Sequence, residues 1–251
     1  TDAQLKEVKT RLMKHGIKLV SYGVVGFDNT ETSMRRVFDF AKKMGIGTIV
    51  TEPAFDDYSL MDKIAQEYRI HVAIHNHAVP NKYGRPQTPL YLMKDCSSWI
   101  GVCPDTGHYM RSGIDPVEAV SLLEGRIKEV HLKDLREFGV EGNDLDVPYG
   151  QGKGQIKEIL AELTLQDFDG FLVVEHENRN DLQNPAPPIR EGLDFIRNVT
   201  YYQEYERILG RSNGTYNKHG WNHYGPGYFE LCPVSGVLTS SGGMGLFWYK
   251  K

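Results

Sequence analysis

Four short apolar runs in the sequence each end in a side chain that can bind a metal ion. The runs GTIVTE, IGVCPD, IKEVH and FLVVE end in Glu52, Asp105, His131 and Glu175, respectively. Three carboxylates and an imidazole form a hard donor set that suits Mn²⁺, Mg²⁺, Co²⁺ or Zn²⁺. If the runs are parallel strands of a barrel, their carboxyl ends open on one face, where barrel active sites lie. The pattern therefore favours a divalent-metal site over a rim salt bridge, a helix cap or a core histidine.

Further polar side chains are placed to line the same face. His75 and His77 share one face of a predicted strand, because strand side chains alternate with period two, and His77 is the expected substrate contact. Lys133 and Arg111 could bind a phosphate or carboxylate, although isolated basic residues on loops are usually solvated. These four residues are candidate substrate-binding groups. Glu177 points the same way as the glutamate two residues before it and could take its place.

The apolar runs alternate with amphipathic segments, which is typical of a parallel sheet with right-handed crossovers. Strands that are apolar along almost their whole length are expected where both faces of a sheet are buried. A dinucleotide-binding fold fits less well, because no GxGxxG follows the first run; the glycines of GQGKG are more typical of loop hinges. Strands are predicted to end at Val25, Glu52, His75, Asp105, His131 and Glu175, with helix caps at Asn29 or Thr30 and at Asp115.

The bulk composition is that of an ordinary globular protein, with 251 residues, 40% of them hydrophobic and 25% charged. A net charge of −4 without a basic run argues against a nucleic-acid partner. No apolar stretch approaches the roughly 20 residues that a membrane span requires. Cys96, Cys103 and Cys232 form no CxxC pair, so a disulfide framework is not expected. The expected partner is a small carbohydrate or polyol, and a homo-oligomer is compatible with these properties.

The chain opens on a predicted amphipathic helix rather than on a secretory signal. Its apolar face carries Leu5, Val8, Leu12 and Met13, and Gly16 ends it. A helix of this kind needs a sheet to cover it, so an N-terminal segment is expected to be missing. The compartment is therefore left undecided by the sequence.

Six motifs together resemble the xylose isomerase-like superfamily of (β/α)₈ TIM barrels over residues 1–210. This superfamily includes sugar phosphate isomerases and epimerases, hydroxypyruvate isomerase, inosose dehydratase and ketose 3-epimerases. The order and spacing of DTGH, VHLKD and VVE are fairly specific, whereas any one of them alone is weak. The motifs are TEP at Thr51–Pro53, HNH at His75–His77, DTGH at Asp105–His108, VHLKD at Val130–Asp134, PYGQGKG at Pro148–Gly154 and VVEHE at Val173–Glu177.

The resemblance assigns roles to the strand-end residues. It implies that Glu52 belongs to the fourth barrel strand and that Asp105, His131 and Glu175 belong to the sixth, seventh and eighth. The visible strands would then be strands 3–8 of an incomplete barrel. It further implies that Glu52 and Glu175 are both metal ligands and the acid/base pair, and that His108 contacts substrate oxygens.

The last forty residues have a different composition, rich in glycine and aromatic residues, which is typical of antiparallel β-structure. Their WNHYGPGYFEL…GVL…GGMG stretch resembles the opening strands of a jelly-roll domain of the 3-keto-disaccharide hydrolase type. Two regions are therefore predicted: an N-terminally truncated barrel over 1–210 and a β-rich tail over 211–251.

The predicted function is that of an enzyme, a divalent-metal-dependent sugar or sugar phosphate isomerase or epimerase. It would act by proton transfer next to a carbonyl through an enediolate. A keto-sugar or inosose-type dehydratase or lyase on the same site is the first alternative. An endonuclease IV-like phosphodiesterase, which needs more histidine ligands and a basic surface, and a catalytically silent carbohydrate-binding barrel are the others.

Overall fold

The fold is described by a computed structural model. It covers residues 1–28, 30–142 and 144–208, together with the backbone of four short strands at 229–230, 237–238, 244–247 and 249–250. Most of the predicted tail at 211–251 therefore lies outside the described residues. The jelly-roll resemblance and the two-region division stay predictions.

Six parallel strands form a sheet of two halves in the described part of the chain. They follow one another in chain order, and parallel bridges between Val102 and Ile127 and between Asp105 and His131 join its two halves. Apolar runs buried on both faces form these strands, as the sequence predicts. The strands are β1 (Ser21–Tyr22), β2 (Thr48–Thr51), β3 (His71–His75), β4 (Ile100–Cys103), β5 (Glu129–Leu132) and, after the hairpin β6 (Asp134–Leu135) and β7 (Asp146–Val147), β8 (Phe171–His176).

Helices connect the parallel strands, so the predicted α/β architecture is confirmed. Thr30 caps α2 by accepting from the Ser33 amide, and Gly45 ends that helix in the left-handed conformation. Asp115 caps α6, with proline at its first position. The helices are α1 (Asp2–Lys14), α2 (Glu31–Met44), α3 (Tyr58–Tyr68), α4 (Gln87–Leu92), α5 (Thr106–Arg111), α6 (Pro116–Leu122), α7 (Ile156–Leu165) and α8 (Ala186–Ile208), with 3₁₀ turns at Phe55–Asp57 and Arg179–Asp181.

Alternation along the strands divides the core into two layers. On β2, Ile49 packs against the helices, whereas Val50 joins Ala73 and Cys103 in a small apolar cluster on the other face. The prediction for α1 is wrong in part. Val8 and Met13 are 45% and 72% exposed, so the apolar face that the periodicity indicates is not buried as a whole.

Four short strands follow α8 in chain order: β9 (Phe229–Glu230), β10 (Val237–Leu238), β11 (Met244–Phe247) and β12 (Tyr249–Lys250). Strand β11 pairs antiparallel with β8, with Gly245 opposite Glu175, and β10 pairs with β11. Strands β9 and β12 pair with each other. Among the described helices, none combines the length and apolar character needed to cross a lipid bilayer.

The long polar loop before α7 is held by one carboxylate. Asp134 accepts hydrogen bonds from the backbone amides of Gly150, Gly152 and Gly154 at 2.8, 3.1 and 2.8 Å. A Cβ at Gly152 would lie 2.2 Å from Asp134 Oδ1, and Gly150 has a φ of +86°. Gly152 and Gly154 are therefore required for close approach to Asp134, and Gly150 for its left-handed backbone and its contact with Phe195, rather than as the hinges that the sequence suggests.

Replacing Asp134 by alanine is expected to lower the free energy of unfolding by about 2–3 kcal/mol, because the loop amides lose a charged acceptor. Urea denaturation of the two proteins measures the difference. Asp144→Ala on the exposed side of the same loop is the control and is expected to have almost no effect. Equal losses for both variants would contradict this account of the loop.

Candidate active site

The four predicted metal ligands meet at the carboxyl ends of β2, β4, β5 and β8. His131 Nδ1 lies 2.8 Å from Glu175 Oε2 and 4.0 Å from Asp105 Oδ2. Glu52 joins them through His75, whose Nδ1 lies 3.2 Å from Glu52 Oε1 and whose Nε2 lies 3.6 Å from Asp105 Oδ2. Residues up to 123 positions apart in the chain thus lie in one connected cluster of side chains.

The ligand atoms fit a bound cation. Asp105 Oδ2, His131 Nδ1 and Glu175 Oε2 are buried, and none of them makes a hydrogen bond within the described structure. The donor atoms of His75, Asp105 and His131 lie within 4.8 Å of one another. The Lys133 ammonium contacts Asp105 and Glu175, but buried donor atoms that crowd together in this way are stabilised by further positive charge. A divalent cation with oxygen and nitrogen ligands supplies such charge.

Lys133 lies in the middle of the site carboxylates. Its ammonium is 1% exposed and lies 3.0 Å from Asp105 Oδ2, 3.2 Å from Glu175 Oε1 and 2.8 Å from Glu177 Oε2. Burial opposes the ammonium charge, but the three carboxylates outweigh it and raise the pKa of Lys133. The expectation of a solvated lysine is wrong, because carboxylates from other strands make its burial favourable.

The site carboxylates are ionised. Burial alone would raise the pKa of Asp105 and Glu175, but the Lys133 ammonium outweighs it and holds both pKa values below their usual range. Burial acts in the same direction on Glu52, and hydrogen bonds from His75 and other neighbours reverse it, so that the pKa of Glu52 is also lowered. All three are therefore acceptors near neutral pH.

Neighbouring loops fix the position of Glu52. Asn81 donates to Glu52 Oε2 at 3.0 Å, and His77 Nδ1 contacts Glu52 Oε1 at short range. The Asn81 loop is itself held by Tyr83, whose buried hydroxyl donates to the Pro53 carbonyl at 2.7 Å. His77 is 47% exposed at the mouth, and its hydrogen bond with Glu52 raises the pKa of its imidazole.

His108 is held as a neutral hydrogen-bond donor. The Asp105 carboxylate caps α5 by accepting from the His108 amide at 2.9 Å. The Arg111 guanidinium, which only donates, lies 3.3 Å from His108 Nδ1. The ring proton must then be on Nε2, which lies 3.9 Å from Asp105 Oδ2. Burial lowers the pKa of His108 to about 3, so the imidazole is uncharged at neutral pH.

Arg111 is buried and paired rather than solvated, contrary to the sequence expectation. Its guanidinium donates to Asp146 Oδ2 at 3.0 Å and lies 3.8 Å from Glu177 Oε2. Asp146 belongs to β7, so the β6–β7 hairpin fixes the position of Arg111.

Asn76 lies between His75 and His77, directly after β3. Its side chain donates to the Asp105 carbonyl and accepts from the Asp105 amide, so two hydrogen bonds fix the backbone of Asp105.

Three residues of the site were not predicted: Glu129, Asp146 and Asn81. Glu129 Oε1 lies 3.1 Å from His131 Nε2. Its spacing of two from His131 on a predicted strand was a usable signal, because it places both side chains on one face. Asp146 and Asn81 lie in loop segments whose sequence carries no periodicity.

The chain is similar to known proteins in sequence. A protein-family model described as "Xylose isomerase-like TIM barrel" matches residues 1–199. An inosose dehydratase of Bacillus thuringiensis (strain Al Hakam) is 30% identical over 151 residues, which cover 55% of this chain and 50% of that protein. The chain thus spans about half the length of the curated relatives it matches.

Two solved structures share the fold. An uncharacterised protein of Parabacteroides distasonis ATCC 8503 is 30% identical, with a TM-score of 0.61 over 79% of this chain and 77% of that chain. A xylose isomerase-like TIM barrel protein of Mycobacterium smegmatis, in complex with magnesium, is 16% identical with a TM-score of 0.64 over 79% and 78%. The second likeness concerns the fold alone.

Proposed function

The chain belongs to the xylose isomerase-like TIM barrel family, and on this premise we propose that it is a divalent-metal-dependent dehydratase of a small uncharged keto-polyol. The identity to an inosose dehydratase favours loss of water over isomerisation. The observation that carries the proposal is the pairing, in one pocket, of ionised carboxylates with the imidazole donors His77 and His108.

The residues that would hold the metal are Glu52, Asp105, His131 and Glu175. When bound there, a divalent ion supplies a Lewis acid that polarises a substrate carbonyl. Three buried atoms among these ligands make no hydrogen bond within the described structure, although the Lys133 ammonium lies 3.0 Å from Asp105 Oδ2, and this supports the assignment. The magnesium complex of the Mycobacterium smegmatis protein is consistent with it.

Elimination of water needs a base and an acid, and the site offers both. The Glu175 carboxylate takes the proton next to the carbonyl, and the electrons of that C–H bond form the C=C bond as the C–O bond breaks. The leaving hydroxyl takes a proton from the His77 imidazolium and departs as water. The lowered pKa of Glu175 and the raised pKa of His77 suit these roles near neutral pH.

An isomerase or epimerase is the second candidate, because Glu52 and Glu175 both reach the pocket. That reaction needs one of the two glutamates to begin as the acid. Both have a lowered pKa, so neither holds a proton at neutral pH in this arrangement. The dehydratase, which draws its proton from His77, is therefore preferred.

The substrate is expected to be uncharged, because the buried cations Lys133 and Arg111 are already paired with carboxylates of the chain. Within the described part of the site, Lys133 and Arg111 already contact Glu177, and each also contacts a second carboxylate. Neither offers a free charge to a phosphate group, and a phosphorylated sugar would add negative charge to a carboxylate-rich pocket.

The test is product analysis in D₂O with added Mn²⁺, using inosose and a set of ketohexoses. A dehydratase yields a conjugated enone from inosose, which is detected by its ultraviolet absorbance, and chelation with EDTA abolishes the reaction. Exchange of deuterium with interconversion of ketose epimers, without enone, would establish the epimerase instead. Bound Mn²⁺ with neither product would leave a carbohydrate-binding barrel without catalysis.

A further inference from the structure

Glu129 is a buried carboxylate that the proposed reaction does not use. It lies on β5 two residues before His131, and its side chain is 1% exposed. Its Oε1 atom lies 3.1 Å from His131 Nε2, whereas Oε2 has no hydrogen-bond partner among the described residues. Glu129 is not one of the carboxylates that contact Lys133, which are Asp105, Glu175 and Glu177.

Glu129 lies beside apolar side chains, where a buried carboxylate is unexpected. A donor atom of Glu129 lies within 4.8 Å of the Cys103 sulfur and of a His131 ring nitrogen. Cys103 belongs to the apolar cluster with Val50 and Ala73. Burying a carboxylate in such a place costs free energy unless a charged or hydrogen-bonding partner is present. Among the described side chains, His131 is the hydrogen-bond partner.

We propose that Glu129 is a positioning residue that orients His131 towards the metal site of the proposed function. A neutral imidazole carries one proton, and a carboxylate beside Nε2 draws that proton to Nε2. Nδ1 lies 2.8 Å from Glu175 Oε2 and 4.0 Å from Asp105 Oδ2, and a cation bound between these carboxylates would take the Nδ1 lone pair. Carboxylates that hold metal-binding histidines in this way fix both the tautomer and the ring orientation.

The decisive measurement is Co²⁺ affinity, obtained by competition with a chelator and by the ligand-field spectrum of the bound ion. Glu129→Gln keeps the size and an acceptor oxygen, and is expected to weaken Co²⁺ binding several-fold. Glu129→Leu removes the acceptor, and a loss of about 10–100-fold is expected, as for other partners of metal ligands. A changed spectrum is expected because the His131 ring is no longer held.

A stability measurement separates positioning from a structural role. If Glu129 served only to support the fold, Glu129→Leu would lower the unfolding free energy of the metal-free protein. Loss of one member of a buried pair is destabilising in either case, so the deciding quantity is the extra stability conferred by added Co²⁺: positioning predicts a smaller increment in Glu129→Leu than in the wild type, whereas a purely structural role leaves it unchanged. Asp57→Asn is the matched control, since Asp57 is also buried with one unpartnered oxygen, and its Co²⁺ affinity should equal that of the wild type.

The outcomes distinguish this inference from the proposed function. Equal Co²⁺ affinity in the wild type and in Glu129→Leu overturns the positioning role and leaves the dehydratase proposal standing. Weaker Co²⁺ binding in the variants, together with a wild type that forms no enone, supports the positioning role and overturns the dehydratase proposal. A wild type that binds no Co²⁺ overturns both. Two equivalents of Co²⁺ with a thiolate charge-transfer band overturn the inference in favour of a cation site at Cys103.

Discussion

Replacing Lys133 by methionine is expected to lower the free energy of unfolding of the metal-free protein by about 3–5 kcal/mol, the range seen when one partner of a buried ion pair is removed. The ammonium is the shared cation of Asp105, Glu175 and Glu177. Methionine keeps the apolar stem but leaves three neighbouring carboxylates without a counter-charge. Urea denaturation in the presence of EDTA measures the loss.

Added Mn²⁺ should recover part of that loss, because a divalent ion neutralises the same carboxylates and binds the native state selectively. The control is Lys153→Met, which removes an exposed pair with Glu137 and is expected to have almost no effect on stability, because solvent screens such a pair. A Lys133→Met protein that is as stable as this control, with or without Mn²⁺, would show that Lys133 does not balance the site charge.

The convergence of the predicted metal ligands could be inferred because it depends on local pattern and on one topological rule. Glu52, Asp105, His131 and Glu175 each follow or end an apolar run, and parallel strands bring such ends together. Both statements hold whatever the detailed packing is. The barrel fold and the convergence of these side chains can therefore be inferred from the sequence alone.

The partners of those residues could not be predicted, because they arise from contacts between distant segments. Lys133 is an isolated basic residue in the sequence, and its burial makes sense only when β4 and β8 supply carboxylates around it. Asp146 reaches Arg111 from a hairpin inside a loop without periodicity. The period-two spacing of Glu129 showed its face of the strand, but not that His131 would be its hydrogen-bond partner.

Helix periodicity has a similar limit in α1. The pattern of Val8 and Met13 correctly indicates a helix with an apolar side, since α1 spans Asp2–Lys14. A hydrophobic period reports which residues share a face, not which surface covers that face. Val8 is about half exposed and Met13 is largely exposed in the described structure.

Replacing Glu175 by glutamine is expected to reduce turnover by about 1,000-fold, within the range of roughly 10²–10⁴ that general acid–base groups contribute. Glutamine has nearly the same shape but cannot accept a proton. It also removes a negative charge next to His131 and Lys133. The enone assay gives the rate, and parallel titration with Mn²⁺ separates the loss of the base from the loss of a ligand.

Glu177→Gln is the comparison that decides which glutamate is the base. Glu177 contacts the same Lys133 ammonium at 2.8 Å but lies one strand period further towards the mouth. Because it is not among the donors that crowd around His131, its substitution should reduce turnover by only about tenfold, below the range of roughly 10²–10⁴ for a general acid–base group. If Glu177→Gln removes activity at saturating Mn²⁺ and Glu175→Gln does not, the proton passes through Glu177. The role of Glu175 would then be reduced to holding the metal.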